Sequence, residues 1–364
     1  MSILKEDTTK YYSADKLWGT DASYMIPYGV RSNGKSYAFR GKVLEDFRDN
    51  GNLFVYLRRW DIDIKPSAVE QYFNIDQIIQ IFNGKYDCVI CRQNEIWLGH
   101  YDEELGKQVK DIVCGYYCAL NMAEHYKSWS KLEQCKTILF EEFITNRLYL
   151  QTTLGETEPE MLMHFVSTCF RLNKGRVVLI GNNISQICPY WEFFLGSKEN
   201  VKKVFSAPPG SIDIYNVHNG EDGTVKIAIE NCNVVKYNNT MFIGNAQKQI
   251  VRGEWEVNTC NKRPKGKWEN LFCVTVSFLQ FNFNLLLQIN EDGERIVFVY
   301  PSDKLEYWLY TDRFITNNHT KPKIDGVLPF EKLYKELYAN NKFCFSDDLT
   351  GTNFKTLLTQ YKFI

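Results

Sequence analysis

Residues Gly29-Val30-Arg31-Ser32-Asn33-Gly34-Lys35-Ser36 fit the pattern G-x-x-x-x-G-K-[ST] at every fixed position. The apolar stretch 23–28 before them reads as a strand and 35–49 after them carries helical spacing. That strand, loop and helix context is what the pattern requires. The chemistry accounts for the spacing. The glycines let backbone N–H groups turn inward on phosphate oxygens, and the helix start adds partial positive charge. In that arrangement Lys35 reaches the β- and γ-phosphates of ATP, and the Ser36 hydroxyl ligates Mg²⁺. The nucleotide site predicted here is Gly29, Val30, Arg31, Ser32, Asn33, Gly34, Lys35 and Ser36.

Working outward, 53–57 reads as a strand and 68–82 as a helical stretch, followed by strand-like 88–91, 96–99, 112–120 and 137–140, a helix over 158–172 and a buried strand over 176–180. Alternation of this kind implies a mostly parallel sheet with flanking helices. Thr137-Ile138-Leu139-Phe140 ends in two carboxylates. Glu141 is predicted to hold the metal through water, and Glu142 to orient or deprotonate the attacking water. Aspartate is usual at the first of these positions, so Glu141 is a departure. Asn182, at the tip of the strand beginning at Arg176, is placed to sense the γ-phosphate. Arg171, at the end of the preceding helix, either serves a neighbouring subunit's nucleotide as an arginine finger or merely complements the helix dipole. This layout is that of an additional-strand catalytic-glutamate (ASCE) P-loop ATPase.

The 364-residue chain has 43 Lys and Arg against 44 Asp and Glu, a formal net charge of −1, and 44% hydrophobic residues. Two domains with real cores are expected at that length. The charge balance excludes a polybasic surface, so any nucleic-acid contact must be local. No apolar run reaches the roughly 18 residues of a membrane span, and the polar start has no signal-peptide core, so a soluble intracellular protein is expected. Eleven cysteines are an odd number and do not form a secreted disulfide framework. Cys88, Cys91, Cys114 and Cys118 have zinc-like spacing, but on strands residues three apart face opposite ways, which favours buried thiols. The expected organisation is an ATPase domain over 1–196, a connecting subdomain over 197–228 and a strand-rich domain over 229–364. In the last, 272–290 reads as one long alternating run, Glu291-Asp292-Gly293 as a hairpin turn, 295–300 as the return strand and 330–338 as a helix.

The sequence also resembles the DNA-encapsidation (genome-packaging) ATPases of φ29-like tailed phages, relatives of large terminase subunits. The likeness rests on the arginine in Gly29-Val30-Arg31, on Gly34-Lys35-Ser36-Tyr37, on Tyr56-Leu57-Arg58-Arg59, on Ile138 to Ile144, on Val166 to Arg171, on Asn182, and on Pro189-Tyr190 with Phe193-Phe194. It covers most of 20–195 and is weak beyond 230, mainly Phe242-Ile243-Gly244 and the hairpin. The resemblance adds Tyr37 to the ATP site and implies catalytic roles for Lys35 and Glu142, with Arg171 acting in trans. It implies viral double-stranded DNA and the portal protein of the procapsid as partners. A homo-oligomeric ring, a pentamer by family pattern, would sit transiently at the portal vertex in the host cytoplasm, and a scaffold RNA stays open.

By the same resemblance the C-terminal part is an α+β RNase H-like domain, a vestigial nuclease, because the run 271–290 contains no Asp or Glu where a two-metal nuclease needs clustered carboxylates. The candidate DNA contacts are Lys127 and Lys131 before the acidic strand, and Lys262, Arg263, Lys265 and Lys267 in the densest basic cluster; solvated charged loops are the alternative. Two other functions stay open at this point, a helicase-like or recombination ATPase and a non-hydrolysing nucleotide sensor.

Overall fold

The structure, a computed structural model, describes residues 11–153, 155–171, 173–219, 223–233, 255–306, 308–311 and 331–361. Its helices are α1 (Asp15–Trp18), α2 (Lys35–Asn50), α3 (Pro66–Tyr72), α4 (Ile75–Ile81), α5 (Ala123–Tyr126), α6 (Glu158–Cys169), α7 (Pro189–Leu195), α8 (Lys198–Ser206), α9 (Glu331–Ala339) and α10 (Asp348–Tyr361). The strands of the first lobe are β1 (Tyr24–Gly29), β2 (Leu53–Arg58), β3 (Cys88–Arg92), β4 (Glu95–Asp102), β5 (Lys107–Ala119), β6 (Cys135–Glu141), β7 (Arg176–Asn182), β8 (Ile212–Asn219) and β9 (Gly223–Asn231). Among the described residues these nine form one sheet in the order β3-β4-β5-β2-β6-β7-β1-β9-β8. Every pairing from β5 through β9 is parallel. The β3-β4-β5 edge and the β8-β9 edge are antiparallel. Strand β7 lies between β1, which leads into the loop 29–36, and β6, which ends in Glu141, so one strand separates the two as expected.

Parallel strands covered on both faces read as continuous apolar runs, and β6 and β7 are buried along nearly their whole lengths. One face packs Leu57, Ile138 and Leu179 against Phe165 and Trp191. The other packs Leu139 and Val178 against Phe39, Leu44 and Ile78. Helix α6 starts at Glu158 as expected, and the structure shows a reciprocal capping box between Thr157 and Glu160 there.

Several expectations need correction. The connecting subdomain over 197–228 is instead helix α8 and the β8-β9 hairpin, and β9 pairs in parallel with β1 over Tyr24 to Tyr28. The Pro and Gly residues there punctuate short elements that complete the sheet. The helical stretch 68–82 is two helices, because Asn74 interrupts it and accepts from the Gln77 N–H to cap the second. The helix expected over 158–172 ends at Cys169, and position 172 lies outside the described residues. The long run 272–290 is two strands, β10 (Glu269–Phe278) and β11 (Phe281–Ile289), reversing at Leu279-Gln280 with Leu279 at φ 52°. No Gly, Pro or Asn marks that reversal, and alternation continues on either side, so nothing in the pattern announced it. The turn at Glu291-Asp292-Gly293 does join β11 to the antiparallel β12 (Arg295–Pro301). Phe242-Ile243-Gly244 lies outside the described residues.

The second lobe adds β13 (Trp308–Thr311) and β14 (Phe343–Phe345), giving the order β13-β10-β11-β12-β14 among the described residues. Both added strands pair in parallel with their neighbours. Val274, Leu285, Val297 and Phe343 form its core with Tyr334 of α9 and Phe354 of α10. The lobes touch through the loops that leave the tips of β6 and β7. Asn183 O accepts from Glu256 N at 3.0 Å, and Asn353 Nδ2 donates to Gln186 Oε1 at 3.0 Å. Ile187 is buried in the second lobe's core, and Gln360 Oε1 accepts from Tyr149 N at 3.2 Å. No helix among the described residues is long and apolar enough to cross a membrane.

Candidate nucleotide-binding and catalytic site

The loop between β1 and α2 wraps a cavity of about 370 Å³ lined by residues 31–37, Glu142 and Asn182. Its backbone depends on two glycines. Gly34 caps α2 at φ 97°, a left-handed conformation that suits glycine. A Cβ on Gly29 would lie 3.0 Å from Asn233 Oδ1 and 3.2 Å from Cys232. That close approach is the loop's outer support: Val30 N donates to Asn233 Oδ1 at 2.7 Å, and Asn33 Nδ2 donates to Cys232 O at 2.8 Å. Tyr12 N donates to Asn33 O from the other side, and the Tyr12 hydroxyl donates to the buried Glu230 at 2.7 Å.

Lys35 is 3% exposed, and its Nζ spans the cavity wall. It donates to Val30 O at 2.6 Å, to Asn33 Oδ1 at 3.1 Å and to Asn182 Oδ1 at 3.2 Å. Burial pushes its pKa down to about 8, against the neighbouring Cys232 and Glu141. The predicted phosphate lysine and the predicted sensor asparagine are thus brought together. Ser36 Oγ donates to Glu141 Oε2 at 2.9 Å, and the Tyr72 hydroxyl donates to Glu141 Oε1 at 2.7 Å. Burial pushes the Glu141 carboxyl up, opposed by these two donors. Burial and the Glu141 charge push the Tyr72 phenol well above its ordinary value, so it remains a donor. A hydroxyl and a single carboxylate, both hard oxygen ligands, fit Mg²⁺, which keeps several waters and phosphate oxygens in its shell.

Glu142 sits at φ 61°, just past the end of β6, and its side chain is half exposed. Arg58 Nη2 donates to Glu142 Oε2 at 2.7 Å. The next residue, Arg59, holds the backbone beneath it, donating to Glu142 O at 3.1 Å and Phe143 O at 2.8 Å. Its Nε pairs with Glu158 at the start of α6, and Glu158 also accepts from Tyr190 Oη and Leu150 N. Both partners of this ion pair are buried. The positive-φ conformation at Glu142 is therefore secured from two sides by charge-assisted hydrogen bonds.

The structure does not bring Arg171 to this cavity. It is exposed and pairs loosely with Glu133, which precedes β6, at 3.6 Å. That is the opposite edge of the sheet, roughly 20 Å away by the rise of a strand. Lys127 pairs with Glu124 and Lys131 with Glu95. Lys262 pairs with Asp348, and the Arg263 guanidinium lies over the Phe298 ring. Lys265 and Lys267 are exposed on the same loop. Cys88, Cys91, Cys114 and Cys118 are buried.

The sequence reading missed Tyr72, Asn233 and Tyr12, and quoted Arg58 and Arg59 without assigning either a role. Two adjacent arginines at a strand end, beside a strand ending in two glutamates, were a usable signal for Arg58 and Arg59. Nothing in the sequence marks Tyr72, 69 residues from its partner.

A family model described as Podovirus DNA encapsidation protein (Gp16) matches residues 6–214. The DNA packaging protein of Bacillus phage B103 is 28% identical over 182 residues, 49% of this chain and 50% of that protein. The DNA packaging protein of Bacillus phage phi29 is 28% identical over 190 residues, 52% and 51% of the two. The chain spans about half the length of these relatives. Among solved structures, a chain of the bacteriophage Phi-29 viral genome packaging motor assembly superposes with a TM-score of 0.53 at 17% identity, over 96% of this chain and 98% of that one, a likeness of fold. With more than half of its length matched by that model, the chain belongs to the Podovirus DNA encapsidation protein (Gp16) family.

Proposed function

We propose that this chain is the ATPase of a viral genome-packaging motor, hydrolysing ATP to translocate double-stranded DNA through a portal into a procapsid. The observation that carries the proposal is the convergence of Lys35, Ser36, Glu142 and Asn182 on one cavity, with Glu141 hydrogen-bonded to Ser36 behind its wall. Membership of a DNA encapsidation family supports it, as do relatives that are themselves named DNA packaging proteins.

In this reading the loop N–H groups and Lys35 bind the β- and γ-phosphates. Ser36 and Glu141 would hold Mg²⁺, which neutralises phosphate charge when bound. With one Glu142 oxygen held by Arg58, the other accepts the proton of a water aligned on the γ-phosphate. Asn182, bonded to Lys35, registers whether that phosphate is present. The loops after Glu142 and Asn182 dock on the second lobe, so a change at either tip reaches it directly. Arg171, remote from its own chain's cavity, serves the next subunit of a ring, a pentamer by family pattern, at the portal vertex in the host cytoplasm. The exposed basic residues of 262–267, with Lys127 and Lys131, grip DNA phosphates without sequence preference. The second lobe, an antiparallel meander with parallel flanking strands, is read as an RNase H-like domain that does not cleave.

Single-turnover ATP assays on wild type, Lys35→Ala and Glu142→Gln test the enzymatic claim. Wild type hydrolyses, Lys35→Ala fails to bind and Glu142→Gln binds without turnover. Binding without hydrolysis in wild type would reduce the protein to a nucleotide sensor. Portal-bearing procapsids then test packaging: DNA becomes protected from nuclease in the presence of ATP, whereas stimulation by single strands without protection would favour a helicase-like enzyme.

A further inference from the structure

Walker-type sites commonly hold the metal with an aspartate at the end of the acidic strand. Here the residue is Glu141, one methylene longer, and 5% exposed. An extra methylene adds a rotatable bond, and a carboxylate tethered at one oxygen can swing about it. In this structure both oxygens are held, Oε2 by Ser36 Oγ at 2.9 Å and Oε1 by Tyr72 Oη at 2.7 Å.

Tyr72 is itself locked. Its ring stacks on Tyr56 with centroids 4.4 Å apart and planes at 29°. Its carbonyl accepts from Arg40 Nη1, and the same guanidinium lies over the Tyr72 ring at 5.2 Å and the Tyr37 ring at 5.1 Å. Arg40 Nε donates to Gln77 Oε1 at 2.7 Å, and Gln77 Nε2 donates to Tyr37 O at 3.0 Å. The phenol is thereby referenced to the first two turns of α2, the helix that carries Ser36.

We propose that Tyr72 is a positioning residue for Glu141: it fixes the far oxygen of the longer side chain, so that the near oxygen stays beside Ser36, on the metal side. This rests on the ATPase reading of the site. Outer-shell partners of metal ligands typically change metal affinity 10–100-fold when removed. Tyr72→Phe keeps the ring stack and deletes only the donor. Glu141→Asp shortens the side chain and takes its carboxylate away from the phenol.

The test titrates Mn²⁺ into the full-length chain carrying bound ADP, reading free Mn²⁺ by its paramagnetic resonance signal; ADP affinity in EDTA and thermal melts are measured in parallel. Tyr72→Phe is expected to weaken Mn²⁺ binding roughly 10-fold while melting and metal-free ADP affinity hold. In a Glu141→Asp background the same change is expected to have under about a twofold effect, the non-additivity of a direct contact. Equal weakening in both backgrounds, loss of metal-free ADP binding in Tyr72→Phe, or unchanged Mn²⁺ affinity would each overturn the positioning role while leaving the ATPase reading intact. A folded wild type that binds no ADP would overturn both.

Discussion

The two sheets handle polarity in opposite ways. In the parallel centre of the nine-stranded sheet, β2, β6, β7 and β1, the strand interiors are largely buried and apolar, and the polar chemistry gathers at one end, where these strands finish in Arg58, Glu141, Asn182 and Gly29. In the five-stranded sheet, polar pairs run through the middle of β10 and β11. Thr275 donates to Asn284 and Ser277 to Asn282, both at 2.7 Å, and Gln288 donates to Asn270 at 2.7 Å. Val274, Val276, Leu285 and Leu287 occupy the opposite face. A doubly covered parallel sheet leaves charge no place except the strand ends, whereas an antiparallel sheet with one apolar face can carry a polar ladder along its length. The first arrangement concentrates ionisable groups for chemistry. The second neutralises polar atoms in pairs.

The contrast can be broken, and the largest effect lies at the charged edge. Glu142→Gln should lower ATP turnover about 10²–10⁴-fold with nucleotide binding retained, as read by rapid-quench kinetics. Arg59→Ala leaves Glu158, wholly buried, without its cation and should cost about 3–5 kcal/mol in urea unfolding. A loss below about 1 kcal/mol would mean the pair is not desolvated as the geometry requires. In the second sheet, Asn284→Ala strips a buried hydroxyl of its acceptor and should cost about 1–3 kcal/mol, with ATP turnover unaffected. Asp347 accepts from Thr350 N at 2.8 Å and Thr350 Oγ1 at 2.7 Å at the start of α10, so Asp347→Ala should cost about 1 kcal/mol. Burial alone would raise the Asp347 carboxyl, but donors from Thr350 and Ser346 outweigh it and hold it below the ordinary range. Its contribution is therefore present above the ordinary Asp value and is lost as pH falls through the folded one. At the small end, no Mn²⁺-dependent DNA cutting is expected from the full chain; measurable cutting would show that the amide ladder conceals a nuclease.

Much of the first sheet was legible because its signals are local. Gly34 with Lys35 and Ser36 announces the loop, Thr137 to Glu142 announces the acidic strand, and the spacing from Glu158 onward announces α6. What escaped was non-local or unpunctuated. Strands β8 and β9 looked like a linker because Pro208, Pro209, Gly210, Gly220 and Gly223 punctuate the stretch that holds them, and only the pairing of β9 with β1 gives them a place. The reversal at Leu279 escaped because its positive φ is carried by a residue that does not usually signal a turn. Of the site, Lys35, Ser36, Glu141, Glu142 and Asn182 were readable from motif and strand order. Tyr72 and Asn233 were not, since each acts through a hydrogen bond across dozens of residues, and the visible Arg58-Arg59 pair had no role until the geometry gave it one.

The amino-acid sequence by itself determined that a glycine-bearing loop lies between a strand and a helix and that two carboxylates end a buried strand, because backbone conformation and burial period are set by neighbours a few positions apart. Tertiary structure alone decided which oxygen of Glu141 meets Ser36, that Arg58 holds the side chain and Arg59 the backbone of Glu142, and that Arg171 stands at the far end of the acidic strand. Those outcomes depend on strand order and on angstrom-scale distances between residues remote in the chain, which no local pattern encodes.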